Sequence, residues 1–271
     1  MKKLALILLL AAHAFAAGKP VSIKGSDTMV IMNAKLAEGF MSRNPGTQIH
    51  VTGGGSGVGI AALINGTTDV AASSRPIKTS EIDKLKARFA TRGVGIPIAR
   101  DGLAVYLNTA NTVQELSLQQ LRDIYTGKVT NWKDVGGKDA PIILYSRENS
   151  SGTYGYFKDN VLMGNDYSPR AQTLQGTAAV VNAVSKDPNG IGYGGAAYAK
   201  GVKFAKVKKD ARSAAFSPSL ETVRSGDYPI SRYLYLYLRT NPSGDAKKFI
   251  DWSLTAEGQK IVTEVGYFPV K

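Results

Sequence analysis

The chain of 271 residues contains no cysteine, so it forms no disulfide and offers no thiolate to a metal or a lipid. Histidine is almost as scarce. His13 lies in the leader described below, which leaves His50 alone, in a segment that reads as a strand and gives it a structural role. No His/Cys metal cluster can be assembled, and a Ser-His-Asp triad would need His50, which has no nucleophile motif beside it. The Gly-x4-Gly-Lys-Ser/Thr nucleotide loop is missing, and Gly53-Gly54-Gly55-Ser56-Gly57 resembles it only in glycine content. Asp27, Asp69 and Glu148 are not clustered as metal ligands, so a phosphohydrolase or phosphotransferase lacks its parts. These absences weigh against an enzyme, and no metal or cofactor is expected. There is no internal repeat and no low-complexity linker.

The first residues read as a cleaved export signal over 1–17. Met1-Lys2-Lys3 is the positive start, 4–10 an apolar run, and Ala14-Phe15-Ala16 a small-x-small cleavage pattern. The run is well short of the roughly 20 residues that span a bilayer. Cleavage is expected after Ala16 or Ala17. Without a cysteine to carry lipid, the mature protein is expected free in a periplasm. The formal charge is +13, and removing Lys2 and Lys3 from it leaves +11. A basic surface suits an anionic ligand, nucleic acid or membrane. The lysines and arginines are scattered, densest at Lys206-Val207-Lys208-Lys209, and are not grouped with aromatics as a nucleic-acid surface requires.

From Val21 onward, strand-like and helix-like segments alternate, which argues for α/β architecture. Segment 21–24 reads as a strand. Apolar residues at helical spacing (Ile31, Ala34, Leu36, Ala37, Phe40, Met41) predict a helix over 30–43, stopped by Asn44-Pro45-Gly46. Further strands are expected at 48–52, 69–72, 95–98, 103–107, 141–145, 191–193 and 232–238. Helices are expected from the Gly53–57 loop to Asn65, over 80–90 with Thr79 or Ser80 as cap, and over 117–125 capped by Ser117. Others are expected from Ser150 to about Met163, and over 177–186. Segment 243–265 reads as one long helix or two, with Gly258 as the weak point. Tyr233, Tyr235 and Tyr237 share one strand face, where packing explains them better than a ligand platform.

Three times a strand runs into a Gly/Ser/Thr loop that opens a helix: Gly25-Ser26-Asp27-Thr28, Gly55-Ser56-Gly57 and Ser150-Ser151-Gly152-Thr153. A helix's first turn carries backbone N–H groups without partners and partial positive charge. Glycine lets an anion approach closely, and Ser or Thr adds a hydroxyl. Three such ends converging would surround a tetrahedral oxyanion without a metal. The plainer reading is that each hydroxyl caps its own helix. Arg147, at the end of a strand just before the third loop, offers a planar fork that matches two phosphate oxygens, or else pairs with Glu148 at the surface. Ser74 and Arg75 follow another strand, with Arg75 either a second clamp or a brace at the domain edge.

The ordered set of motifs resembles the periplasmic phosphate-binding proteins of ABC importers. It comprises Gly25-Ser26-Asp27-Thr28, Gly54-Gly55-Ser56-Gly57, the run 69–77 with Ser73-Ser74-Arg75-Pro76, and Tyr125-Thr126-Gly127 with Asn131-Trp132. It continues with Arg147-Glu148-Asn149-Ser150-Ser151-Gly152-Thr153, Gly190-Ile191-Gly192-Tyr193, Gly258-Gln259-Lys260 and Gly266-Tyr267-Phe268-Pro269. The resemblance implies a two-lobed type II periplasmic-binding-protein fold, with lobe 1 at 19–100 plus 235–271 and lobe 2 at 101–234. Two crossing strands, 103–107 and 233–238, would join the lobes, with the ligand cleft between them. It implies phosphate contacts from Thr28, Ser56, Arg147, Ser151, Gly152 and Thr153, with Ser26, Asp27, Gly57, Ser74 and Arg75 as secondary candidates. It also implies a monomer that serves membrane permease subunits, not nucleic acid. The best-known members carry an aspartate in place of Ser74, whose carboxylate accepts the phosphate proton and repels sulfate. With serine there, another tetrahedral oxyanion (sulfate, molybdate or tungstate) is the alternative ligand.

Overall fold

The structure, a computed structural model, describes residues 19–270; the leader and its cleavage point lie outside the described residues. Chain order begins with β1 (Val21–Gly25), a 3-10 turn (Asp27–Met29), α1 (Val30–Arg43), β2 (Ile49–Thr52), α2 (Ser56–Asn65), β3 (Val70–Ser73), α3 (Thr79–Phe89) and β4 (Val94–Leu107). The middle of the chain adds β5 (Glu115–Ser117), α4 (Leu118–Tyr125), β6 (Ile143–Arg147), α5 (Gly152–Asn160), β7 (Gln172–Leu174), α6 (Thr177–Lys186), β8 (Gly190–Gly195) and β9 (Lys203–Lys208). The last part supplies α7 (Leu220–Ser225), β10 (Ser231–Leu238), α8 (Gly244–Ser253) and α9 (Ala256–Val265).

The strands run in the order β2-β1-β3-β10-β4-β8-β6-β7, with β9 paired to both β4 and β5. β1 is parallel to β2 and β3, and β10 is antiparallel to β3 and β4. One core gathers Ile23, Met32, Phe40, Val70, Ala99, Leu234, Phe249 and Val262. A second gathers Leu103, Val105, Tyr125, Trp132, Phe157, Tyr193 and Ile230. The chain therefore passes from one core to the other twice, between Ala99 and Leu103 and between Ile230 and Leu234, and Leu103 N–H donates to Ile230 O at 2.9 Å where the two passages meet.

The segments expected as two strands, 95–98 and 103–107, are one strand, β4. The polar stretch Ala99-Arg100-Asp101-Gly102 continues it because both charges find partners there. The Arg100 guanidinium donates to the Tyr233 hydroxyl while its backbone bonds Phe268, and the Asp101 carboxylate takes up Arg232. Pro97, which cannot donate to a ladder, sits where the β10–β4 register shifts, between Leu234 and Tyr235. The passage lies just before 103–107, which already belongs to the second core and pairs with β8 and β9.

Most element ends follow local chemistry. α1 and α6 occupy the expected ranges, and Ser117 caps α4 by accepting from Gln120 N–H at 3.1 Å. Neither Thr79 nor Ser80 caps α3. Both lie inside it, and Glu81 reaches back to the Lys78 N–H instead. The C-terminal helical segment breaks at Leu254 and Thr255 rather than at Gly258, because the Thr255 hydroxyl accepts the Gly258 N–H and starts α9 afresh. α5 ends at Asn160, short of Met163. The short elements β5, β7, β9 and α7 carried no pattern long enough to find. Tyr235 and Tyr237 stack at 5.4 Å as packing, and His50 lies exposed on β2.

Candidate functional site

The three Gly/Ser/Thr loops meet. β1 delivers the first, and β3 runs beside it and delivers Ser74. The close approach of these strands requires glycine at position 25, since its φ is +145° and a Cβ there would lie 2.1 Å from Ala72 O. The second loop, at the start of α2, faces the third across the cleft. Gly57 N–H donates to Ser150 O at 2.8 Å, and Ser150 Oγ donates to Gly54 O at 3.2 Å. Gly152 comes so near that a Cβ would stand 2.2 Å from Ser56 Oγ and 2.6 Å from Ser74 Oγ. Thr28 Oγ1 and Thr153 Oγ1 are 3.0 Å apart. Thr28, Ser56, Ser74, Ser151 and Thr153 are all buried, as is Ser26, whose N–H is bonded to Ala72 O.

The capping explanation divides these hydroxyls. Ser151 is a helix cap, its Oγ accepting from Thr153 and Tyr154 N–H at 3.1 and 3.3 Å. Ser56 is not: it is the first residue of α2, Gly55 holds the cap position, and no side chain caps that turn. The Ser56 hydroxyl instead accepts from Ser74 N–H at 3.0 Å and lies 3.3 Å from Ser74 Oγ. Thr28 likewise faces Thr153 rather than its own turn. Two of the three helix starts therefore keep hydroxyls turned toward the neighbouring loops rather than their own turns.

The arginines separate by what they hold. Arg147 is 1% exposed, so its pairing is no surface event. Its Nη2 bonds Glu148 at 2.8 Å and Asp27 at 3.0 Å, its Nε bonds Glu148 at 3.0 Å, and its Nη1 bonds Thr177 Oγ1 at 2.8 Å. Burial raises the Glu148 carboxyl, but the hydrogen bonds and charge of Arg147 outweigh this and hold it below its ordinary value. Asp27 also accepts from Gly54 N–H at 2.8 Å, so its carboxylate ties the glycine loop to Arg147 across the cleft. Arg75 is spent on Glu81, at 2.6 and 2.9 Å, and on Pro76 O, which fits the brace rather than the clamp.

One pair was not singled out from the sequence. Arg232 on β10 and Asp101 on β4 are register partners, bonded through Asp101 Oδ2 at 2.8 and 3.0 Å, and Arg232 Nη2 also donates to Thr153 Oγ1 at 3.0 Å. The signal was present as an aspartate and an arginine inside segments otherwise apolar enough to be buried. Among the described residues, no group of acidic and histidine side chains is placed to hold a metal, and no helix is long and apolar enough to cross a membrane. A groove of about 710 Å³ lined by Ile31, Ser42, Tyr198 and Val265 lies elsewhere, and none of the hydroxyl ring lines it.

The arrangement can bind a small oxyanion. It offers hydroxyls from three loops and two helix N-termini, beside buried guanidinium groups that are themselves held by carboxylates. Comparisons with known proteins point the same way. The model of the PBP superfamily domain matches residues 11–257. The phosphate-binding protein PstS of Pseudomonas aeruginosa is 30% identical over 267 residues, 92% of this chain and 83% of that protein. PstS of Bacillus subtilis is 32% identical over 251 residues, 92% of this chain and 80% of that protein. Among solved structures, a phosphate ABC transporter substrate-binding protein with bound phosphate from Clostridium perfringens superposes with a TM-score of 0.84 at 32% identity, covering 93% of this chain and 100% of that one. An ABC-type phosphate transport receptor from Vibrio cholerae gives 0.73 at 30% identity, covering 92% and 99%.

Proposed function

The chain belongs to the phosphate-binding proteins of the PBP superfamily, and from that premise we propose that it captures inorganic phosphate and delivers it to the permease subunits of an ABC importer. The observation that carries the reading is the convergence of the three loop ends, closed so tightly that Gly152 admits no side chain against Ser56 and Ser74. The two cores are read as two lobes, 19–100 with 235–271 and 101–234, that close over the ion by a hinge. Thr28, Ser56, Thr153 and the first-turn amides at Gly152 contact the phosphate. Ser151 orders α5 as its cap, and Arg147, held by Asp27 and Glu148, offsets the charge of those carboxylates beside the ion. Ser26, Gly57 and Ser74 complete the wall. The protein acts as an exported, monomeric binding protein, not as an enzyme.

Calorimetric titration of the anion-stripped mature chain with phosphate, sulfate and molybdate tests this. One-to-one phosphate binding is expected. A response to sulfate or molybdate alone would keep the fold and change the ligand. Gly152→Ala, which forces a Cβ into the hydroxyls, is expected to weaken phosphate binding tenfold or more, on the scale of about 1.4 kcal/mol per decade. Unchanged affinity would move the ion away from this contact.

A further inference from the structure

The Asp101–Arg232 pair is buried and incomplete. Asp101 is 0% exposed and Arg232 6%, yet Asp101 Oδ1 and Arg232 Nη1 have no hydrogen-bond partner in the protein. Buried polar atoms are almost always paired, and each orphan costs free energy. Donors stand close by and are used elsewhere. The Tyr106 hydroxyl donates to Gly195 O, Tyr228 to Leu103 O and Tyr267 to Thr28 O. Burial first, and the Asp101 charge second, raise the pKa of all three, so they stay protonated and committed.

The pair is linked to the hydroxyls of the candidate site through Arg232. Arg232 bonds Thr153 Oγ1 at 3.0 Å, and Thr153 in turn meets Thr28 at 3.0 Å. A Cβ at Gly195 would stand 3.0 Å from Tyr267 Oη, 3.2 Å from the Thr28 methyl Cγ2 and 3.3 Å from Asp101 Oδ1, so the free carboxylate oxygen lies beside Thr28 at a place where the chain carries no side chain. One half-pair lacks a donor and the other lacks an acceptor. Sulfate at neutral pH brings acceptors only and would set an oxygen against the Asp101 carboxylate. Hydrogen phosphate brings both a P–OH donor and acceptor oxygens.

Resting on the phosphate reading above, we propose that Asp101 and Arg232 are the specificity-determining pair of this chain. Asp101 Oδ1 accepts the hydrogen bond of the phosphate's P–OH, and Arg232 Nη1 donates to a neighbouring phosphate oxygen. This gives the chain a proton acceptor although Ser74 carries no carboxylate. It also explains why a charge pair sits in the two segments where the chain passes between the cores.

The test titrates the mature chain and Asp101→Asn with phosphate, sulfate and monofluorophosphate, the last a tetrahedral dianion of similar size with no P–OH. The wild type is expected to prefer phosphate over both by about 100-fold or more, since a site built around a hydroxyl rejects analogues lacking it. In Asp101→Asn, whose amide can donate, the phosphate-to-sulfate ratio is expected to fall at least tenfold. An unchanged ratio, with all anions weakened alike, would make the pair a structural pin and overturn the proposal while leaving the phosphate reading intact. Should Asp101→Asn not fold, the wild type decides: equal affinity for phosphate and monofluorophosphate overturns the proposal, and strong preference for phosphate supports it. A wild type that does not bind phosphate removes both.

Discussion

Two arginine–carboxylate pairs, Arg75–Glu81 and the fully buried Arg232–Asp101, differ in how completely each is closed. Arg75 and Glu81 meet through two nitrogens and two oxygens, Glu81 also takes the Lys78 N–H, and Arg75 adds Pro76 O. Asp101 and Arg232 meet through a single carboxylate oxygen and leave one acceptor and one donor unused. The first pair braces the turn from β3 into α3 and needs nothing further. The second lies where the two halves join and is finished only by something from outside the chain. Opposite charges in contact therefore say little about role; the count of unsatisfied atoms says more.

The largest difference is expected from Arg232→Met. It strands a fully buried carboxylate and should cost about 3–5 kcal/mol in urea unfolding, with phosphate binding lost in calorimetry. Glu81→Gln should cost less, about 1–2 kcal/mol, because Glu81 is partly exposed and the amide keeps some bonds. Its phosphate affinity should match the wild type; a parallel loss of affinity would erase the distinction between the pairs. The smallest effect is one of pH. Burial raises the Glu81 carboxyl, but the bonds and charge of Arg75 and the Lys78 N–H outweigh it, so its folded pKa lies below the ordinary value. Its contribution is therefore complete above the unfolded value of about 4.3 and is lost as pH falls through the lower folded value. The melting-temperature gap between wild type and Glu81→Gln should be constant from pH 7 to 5 and close on further acidification.

Much of this was legible in the sequence because it is written locally. The helical spacing of Ile31 to Met41 and the glycine loops after strands each state their structure within a dozen residues. The Ser117 cap states its own within four. What stayed hidden depends on distant partners. The stretch Ala99 to Gly102 reads as a break until Phe268 and Arg232 arrive from the far end of the chain to satisfy it. Arg147 was read as a fork aimed at a ligand, and no local pattern announced that Asp27, 120 positions earlier, would hold it. The division of Ser56 and Ser151 into a wall hydroxyl and a cap was likewise invisible, because both motifs place serine beside glycine at a helix start.

The rim bonds between Gly57 and Ser150, and between Ser150 and Gly54, have a kinetic consequence. If the proposed phosphate site lies behind them, release of the ion requires these bonds to break as well as its own contacts. Two anions of unequal affinity would then share one step of their release.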